Sequence, residues 1–180
     1  MKNLFTLFIA VILFQVPYAQ KPSPLPADNI LKEALQLAKK ENKNVFVIFH
    51  ASWCTWCHRM DASMNDVACK KLFNDQYVIR HLVVDEAADK KKLENPGGQE
   101  MLDKYGGNGQ GIPFWLVFDN DGKLLSNSIV QNAKNPVGQN VGCPATEEEV
   151  NFLVDVLKKT STLNEAQLEI IRKRFRQNER

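Results

Sequence analysis

The sequence predicts an α/β domain built on a mixed sheet, and three observations carry that reading. Val45–Phe49 is an unbroken apolar run rich in β-formers, Phe114–Phe118 is a second, and helical periodicity precedes, separates and follows them. A run without polar alternation belongs to a central strand covered on both faces, which implies parallel neighbours and crossover helices. The turn signal Asn120-Asp121-Gly122 after the second run adds an antiparallel hairpin.

The elements follow in chain order. Lys2 and the apolar stretch from Leu4 to Phe14, stopping at Gln15 to Pro17, read as a secretory signal peptide cut after Ala19. The stretch is shorter than the ~18 apolar residues that span a bilayer, and no cysteine follows it for lipid attachment. The chain is therefore expected to be exported, periplasmic or secreted, with no stable membrane anchor after cleavage. Of its 180 residues, 161 then remain, carrying 22 basic and 21 acidic side chains. That length suits one domain, over residues 20–160, and a near-neutral balance gives no whole-domain field for nucleic acid. Arg172, Lys173, Arg174, Arg176 and Arg180 read as the solvated face of a last helix.

After the Pro-rich lead Lys21–Pro26, Asp28 is expected to cap a helix bearing Ile30, Leu31, Ala34, Leu35 and Ala38. The first strand, Val45–Phe49, runs directly into His50-Ala51-Ser52-Trp53-Cys54-Thr55-Trp56-Cys57, and Met60, Met64, Val67 and Ala68 continue at helical spacing. Cys54 then stands at a helix N-terminus. Tyr77–Asp85 is a second strand, Lys90 to Lys92 a solvated loop, and residues 99–105 a short helix. Gly106 to Gly111 and Ile112-Pro113 lead into Phe114–Phe118, and Lys123-Leu124-Leu125 begins another strand. Residues 131–145 read as loop. Thr146 and Glu149 form a capping box for a helix through Val150, Leu153, Val154 and Leu157. An amphipathic helix from about Asn164 to Arg176 closes the chain as an appendage over 161–180. There are no repeats and no second domain.

The chemistry rests on Cys54 and Cys57. A thiolate rather than a thiol attacks a disulfide, so exchange needs one cysteine with a stabilised charged form and another near enough to resolve the mixed disulfide. At the start of a helix the first cysteine receives unpaired N–H groups and the positive dipole end, while the second is shielded one turn in. Cys54 is thus expected to attack and Cys57 to resolve. Asp61, on the same helix face four residues beyond Cys57, and His58 are candidates for proton relay or charge tuning, with plain surface residues as the alternative.

Strand, Trp53-Cys54-Thr55-Trp56-Cys57, helix, and Gly111-Ile112-Pro113 before a strand together resemble the thioredoxin superfamily, over about residues 28 to 160. The resemblance implies a thioredoxin-like three-layer α/β/α domain with a mixed central sheet and an extra C-terminal helix. It implies a cis bond at Ile112-Pro113, making those residues, with Trp53, Thr55 and Trp56, the substrate-facing wall. It also implies thiol-disulfide exchange with protein thiols and disulfides, with a membrane or periplasmic electron-transfer partner in view and no cofactor. Among such proteins the chain is similar to exported members: thioredoxin carries Gly-Pro between its cysteines and a buried aspartate six residues before the first, where this chain has Thr55-Trp56 and Ile48. Oxidant, reductant and isomerase share this architecture, so the direction is left open.

Two rival readings exist. One Cys-x-x-Cys could be half of a metal site, but a structural zinc site takes four ligands, and only scattered Cys69, Cys143, His50 and His81 would complete it. A fold that keeps the cysteines without turnover is the other. Cys69, expected on the helix that follows the motif, and Cys143 are either a structural disulfide or two separate thiols. Trp53, Trp56, Phe114 and Trp115 are expected to form an apolar rim, with one of the last two turned to the core.

Overall fold

The computed structural model describes residues 23–132 and 135–179; the signal-peptide reading of residues 1–19 lies outside them. The order is α1 (Ala27–Glu41), β1 (Asn44–His50), α2 (Thr55–Met64), α3 (Lys70–Gln76), β2 (Tyr77–Val83), a 3-10 helix (Ala88–Leu93), α4 (Gly98–Lys104), β3 (Phe114–Phe118), β4 (Leu124–Asn127), β5 (Ile129–Asn132), β6 (Asn135–Asn140), α5 (Glu147–Thr160) and α6 (Glu165–Phe175), with a closing 3-10 turn Arg176–Glu179. The main sheet runs β2-β1-β3-β4: β1 and β2 are parallel, while β1–β3 and β3–β4 are antiparallel.

Strand alternation divides the core into two layers. Val45, Val47 and Phe49 of β1 and Phe114, Leu116 and Phe118 of β3 face α1 and α4. Phe46, Ile48, Trp115 and Val117 face the other way, against α2, α3, α5 and α6. All five residues of β3 are buried, because both faces of the central strand are covered.

Several expectations need correction. The first helix begins at Ala27, whose N–H donates to Pro96 O at 2.8 Å, so Asp28 lies in the first turn and Pro26 takes the cap position. The helix after the motif stops at Met64. Asn65 Nδ2 donates to Asp61 O and Asp66 Oδ1 accepts the Ala68 N–H, side-chain bonds that compete with helical ones. Val67 is consequently 97% exposed, and Cys69 belongs to the start of α3. Residues 131–145 are not all loop, since β5 and β6 pair as a hairpin. Gly138 is required there: at φ 87° an added Cβ would stand 2.3 Å from Ile129 Cγ2. Lys90 to Lys92 are exposed as expected, on a turn of 3-10 helix.

The last helix is no appendage. Leu168, Ile171 and Phe175 are buried in the core layer beneath α2 and α5. Its basic residues are also engaged: Arg174 Nε bonds Asp66 Oδ2 at 2.9 Å, Arg172 meets Glu169 and Asn151, and Arg176 meets Glu179 and the Ala145 carbonyl. Apolar residues three to four apart found a face left open by the shorter helices.

Candidate active site

β1 ends at His50, and the chain turns through Ala51–Trp53 into α2. Four bonds fix this turn. Cys54 N donates to Ala51 O at 3.1 Å, and Ser52 gives its N–H to Glu86 Oε1 at 2.6 Å and its hydroxyl to Glu86 Oε2 at 2.8 Å. Trp53 Nε1 donates to Asp85 O at 2.7 Å. Burial pushes the Glu86 carboxyl up, but the two Ser52 donors, with Lys90 and His50, outweigh it and hold the group below its ordinary 4.5.

Cys54 is the N-cap of α2, with extended backbone (φ −79°, ψ 97°), and its Sγ accepts the Cys57 N–H at 3.1 Å. The two cysteines are joined in a disulfide. When that bond opens, the same N–H and the helix terminus face the Cys54 sulfur and favour its thiolate. Cys57 is 1% exposed, packed with Ala51 and Ile112.

The peptide bond Ile112-Pro113 is cis, and Ile112 O lies 3.6 Å from Cys54 Sγ. A disulfide sulfur has no proton to give, so in the oxidised form this is a contact and not a hydrogen bond. One side chain holds the proline loop. Asn140 Nδ2 is within reach of the carbonyls of Gly111 at 2.9 Å, Pro113 at 3.0 Å and Gln110 at 3.3 Å, and its Oδ1 accepts the Gly142 N–H. Beside this loop a groove of about 240 Å³ is lined by Trp56, Ile112, Pro113, Asn140, Cys143 and Glu149 among others.

The other expected site residues fall as follows. Trp53 and Trp56 are 57% and 46% exposed and flank the pair, with the Arg59 guanidinium 4.6 Å from the Trp56 ring centroid. Thr55 is exposed as the first residue of α2. Phe114 and Trp115 are not part of the rim. Both are wholly buried, one on each side of the sheet, and Trp115 Nε1 donates to Gly142 O. His58 Nε2 lies 3.1 Å from Ser52 O, and Asp61 accepts from His81 Nε2 at 2.7 Å. Cys69 and Cys143 are free thiols, both buried, which removes the disulfide alternative. Desolvation raises them to about 11 and about 12, respectively. Among the described residues no three His, Cys, Asp or Glu side chains gather so as to hold a metal ion.

A model of the family described as thioredoxin-like matches residues 27–120, just over half of the chain. The chain belongs to the thioredoxin-like family. The Cys54–Cys57 disulfide stands at the helix terminus of this thioredoxin-like domain. Among curated proteins, the uncharacterized protein B0495.5 of Caenorhabditis elegans is 38% identical over 63 residues, which is 34% of this chain and 9% of that relative's length. Similar solved structures include a disulphide isomerase from Xylella fastidiosa Temecula1, 25% identical over 63% of this chain and 79% of that one, with a TM-score of 0.47. A DsbH oxidoreductase is 18% identical over 83% and 95%, with a TM-score of 0.45. The C-terminal domain of DsbD from Neisseria meningitidis, oxidised, is 22% identical over 58% and 84%, with a TM-score of 0.41.

Sequence reasoning missed two of this thioredoxin-like site's supports. Glu86 reads as one more acid in a charged loop and Asn140 as one polar residue among many. Only the crossings of distant segments give each its role.

Proposed function

We propose that the chain is exported and exchanges its Cys54–Cys57 dithiol and disulfide with cysteines of protein substrates outside the cytoplasm. One observation carries the chemistry: Cys54 sits at the N-cap of α2, accepting the Cys57 N–H, against the carbonyl before Pro113. Cys54 is the attacking thiol, because it receives the helix terminus and adjoins the exposed Trp53 and Trp56. Cys57, buried one turn in, resolves. Ile112 and Pro113, held by Asn140, form the wall against which a substrate segment lies, and an electron-transfer protein of the same compartment resets the couple. Export is supported by the charged start and apolar run of residues 1–19.

Trapping tests the roles: Cys57→Ser should accumulate mixed disulfides through Cys54, and Cys54→Ser should not. The reverse pattern would exchange the roles. The reduction potential fixes direction, a value near about −270 mV marking a reductant and one near about −120 mV an oxidant. Amino-terminal sequencing of protein recovered from the extracytoplasmic fraction should begin at Gln20; a chain retained in the cytoplasm with Met1 intact would end the export reading.

A further inference from the structure

The other two histidines of the chain, His58 and His81, lie close enough to His50 to act on its charge. The rings of His50 and His81 meet edge to face with centroids 5.2 Å apart, and His81 Nε2–H donates to Asp61 Oδ1 at 2.7 Å. His50 Nδ1 is buried with no hydrogen-bond partner. An orphaned buried N–H is rarer and costlier than an under-satisfied acceptor, so the stable tautomer carries its proton on Nε2. Nδ1 is then a bare lone pair, an acceptor held out of water.

The topology places His50 at the level of Cys57. Ile48 and His50, two residues apart, share one face of β1, and Ile48 packs with Met60 and Met64 of α2 on that face. In the parallel register His81 lies beside Ile48, and its bond to Asp61 fixes that level of α2 against the sheet. Helix α2 starts where β1 ends and runs back along it, since β2 is parallel to β1. Moving from Asp61 to Cys57 therefore climbs one helical turn, about 5.4 Å, toward the end of β1. Moving from Ile48 to His50 climbs two strand residues, about 6.6 Å, in the same direction.

We propose that His50 is the proton acceptor for Cys57 when that thiol resolves a mixed disulfide, with His81 and Asp61 as positioning residues behind it. This rests on the thiol-exchange reading and assigns its missing base, given Ile48 where thioredoxin has a carboxylate. The step balances. The Cys57 S–H bond breaks and its proton passes to His50 Nδ1. The thiolate attacks Cys54 Sγ, the Cys54–Cys57 bond forms, and the bond from Cys54 to the substrate sulfur breaks. The substrate leaves as a thiolate, which is protonated as His50 returns to its neutral form. The groups facing His50 are His81 from β2, Asp61 and His58 from α2, and Glu86 from the segment after β2. Desolvation, first, and His81 hold its pKa below the ordinary 6.5, so the ring is neutral and ready to accept near neutral pH.

The test is resolution of the Cys54–glutathione mixed disulfide, formed by mixing reduced full-length protein with oxidised glutathione and followed by acid quench and mass spectrometry across pH. Wild type should resolve at a rate that rises through the His50 titration and then levels. His50→Gln should resolve roughly a hundredfold more slowly near neutral pH and rejoin wild type in alkali, where Cys57 ionises unaided. Asp61→Asn should shift the midpoint of the profile while leaving its plateau. Superimposable profiles for wild type and His50→Gln would overturn the proposal. If His50→Gln does not fold, the wild-type His50 ring decides by NMR: its titration should move between the reduced and disulfide forms, and an unmoved titration overturns the assignment. Failure of wild type to form any mixed disulfide would instead refute thiol exchange itself.

Discussion

Cys54 and Cys69 both occupy the N-cap of a helix, and both are almost fully buried, at 3% and 0% exposure. Their backbones differ. Cys54 is extended, the usual N-cap conformation, so its sulfur folds back onto the Cys57 N–H. Cys69 is already helical (φ −105°, ψ −32°) and makes no side-chain cap, and the Asp66 carbonyl accepts instead from Cys69 N and from Lys70 N, the first donor of α3. Desolvation and the Asp66 charge then raise the Cys69 thiol to about 11. A helix terminus activates a cysteine only when the backbone aims the sulfur at it. Cys143, buried beside Asn178 and accepting its Nδ2–H at 3.4 Å, is likewise inert, at about 12.

The sharpest way to break this comparison is by substitution. Cys54→Ser should abolish thiol exchange, whereas Cys69→Ala should leave it unchanged, measured with a glutathione-coupled assay. Alkylation comes next. In the reduced native protein at pH 8, a thiol with a pKa of about 11 is only about one part in a thousand thiolate. Iodoacetamide should therefore label Cys54 and spare Cys69 and Cys143 until denaturant is added, as peptide mapping would show. A third effect concerns stability. Cys69→Ser places a hydroxyl in the apolar layer with Phe73 and Phe175, and should cost about 1–3 kcal/mol by denaturant unfolding.

The smallest effect concerns the turn that aims Cys54. Glu86 ionises more readily folded than unfolded, so it contributes stability above its ordinary 4.5 that is lost as pH falls through the depressed value. Glu86→Gln should remove that part of the acid transition and weaken stability at neutral pH. An unchanged acid unfolding curve would show that the Ser52–Glu86 pair does not hold the turn.

Much of the thioredoxin-like fold was legible because its signals are local and repeated. The apolar runs Val45–Phe49 and Phe114–Phe118 marked the two central strands, and Thr146 with Glu149 marked the start of α5, where the capping box is present. The hairpin β5–β6 was not legible: its Asn, Gly and Pro content signals loop, and its pairing depends on contacts such as Val141 N to Ser128 O. The integration of α6 was equally hidden, because an amphipathic face does not state what it covers.

By itself, the sequence determined the site's chemistry: two cysteines three apart, at the junction of a buried strand and a helix, with a proline before the facing strand. Spacing and local propensity suffice for that, since neighbours in the chain are neighbours in space. Tertiary structure decided what surrounds the sulfurs. Asn140 reaches Pro113 across 27 residues, Ser52 meets Glu86 across 34, and His81 meets Asp61 across 20. It also decided the fate of the other thiols, because conformation and desolvation at Cys69 and Cys143 depend on segments far along the chain.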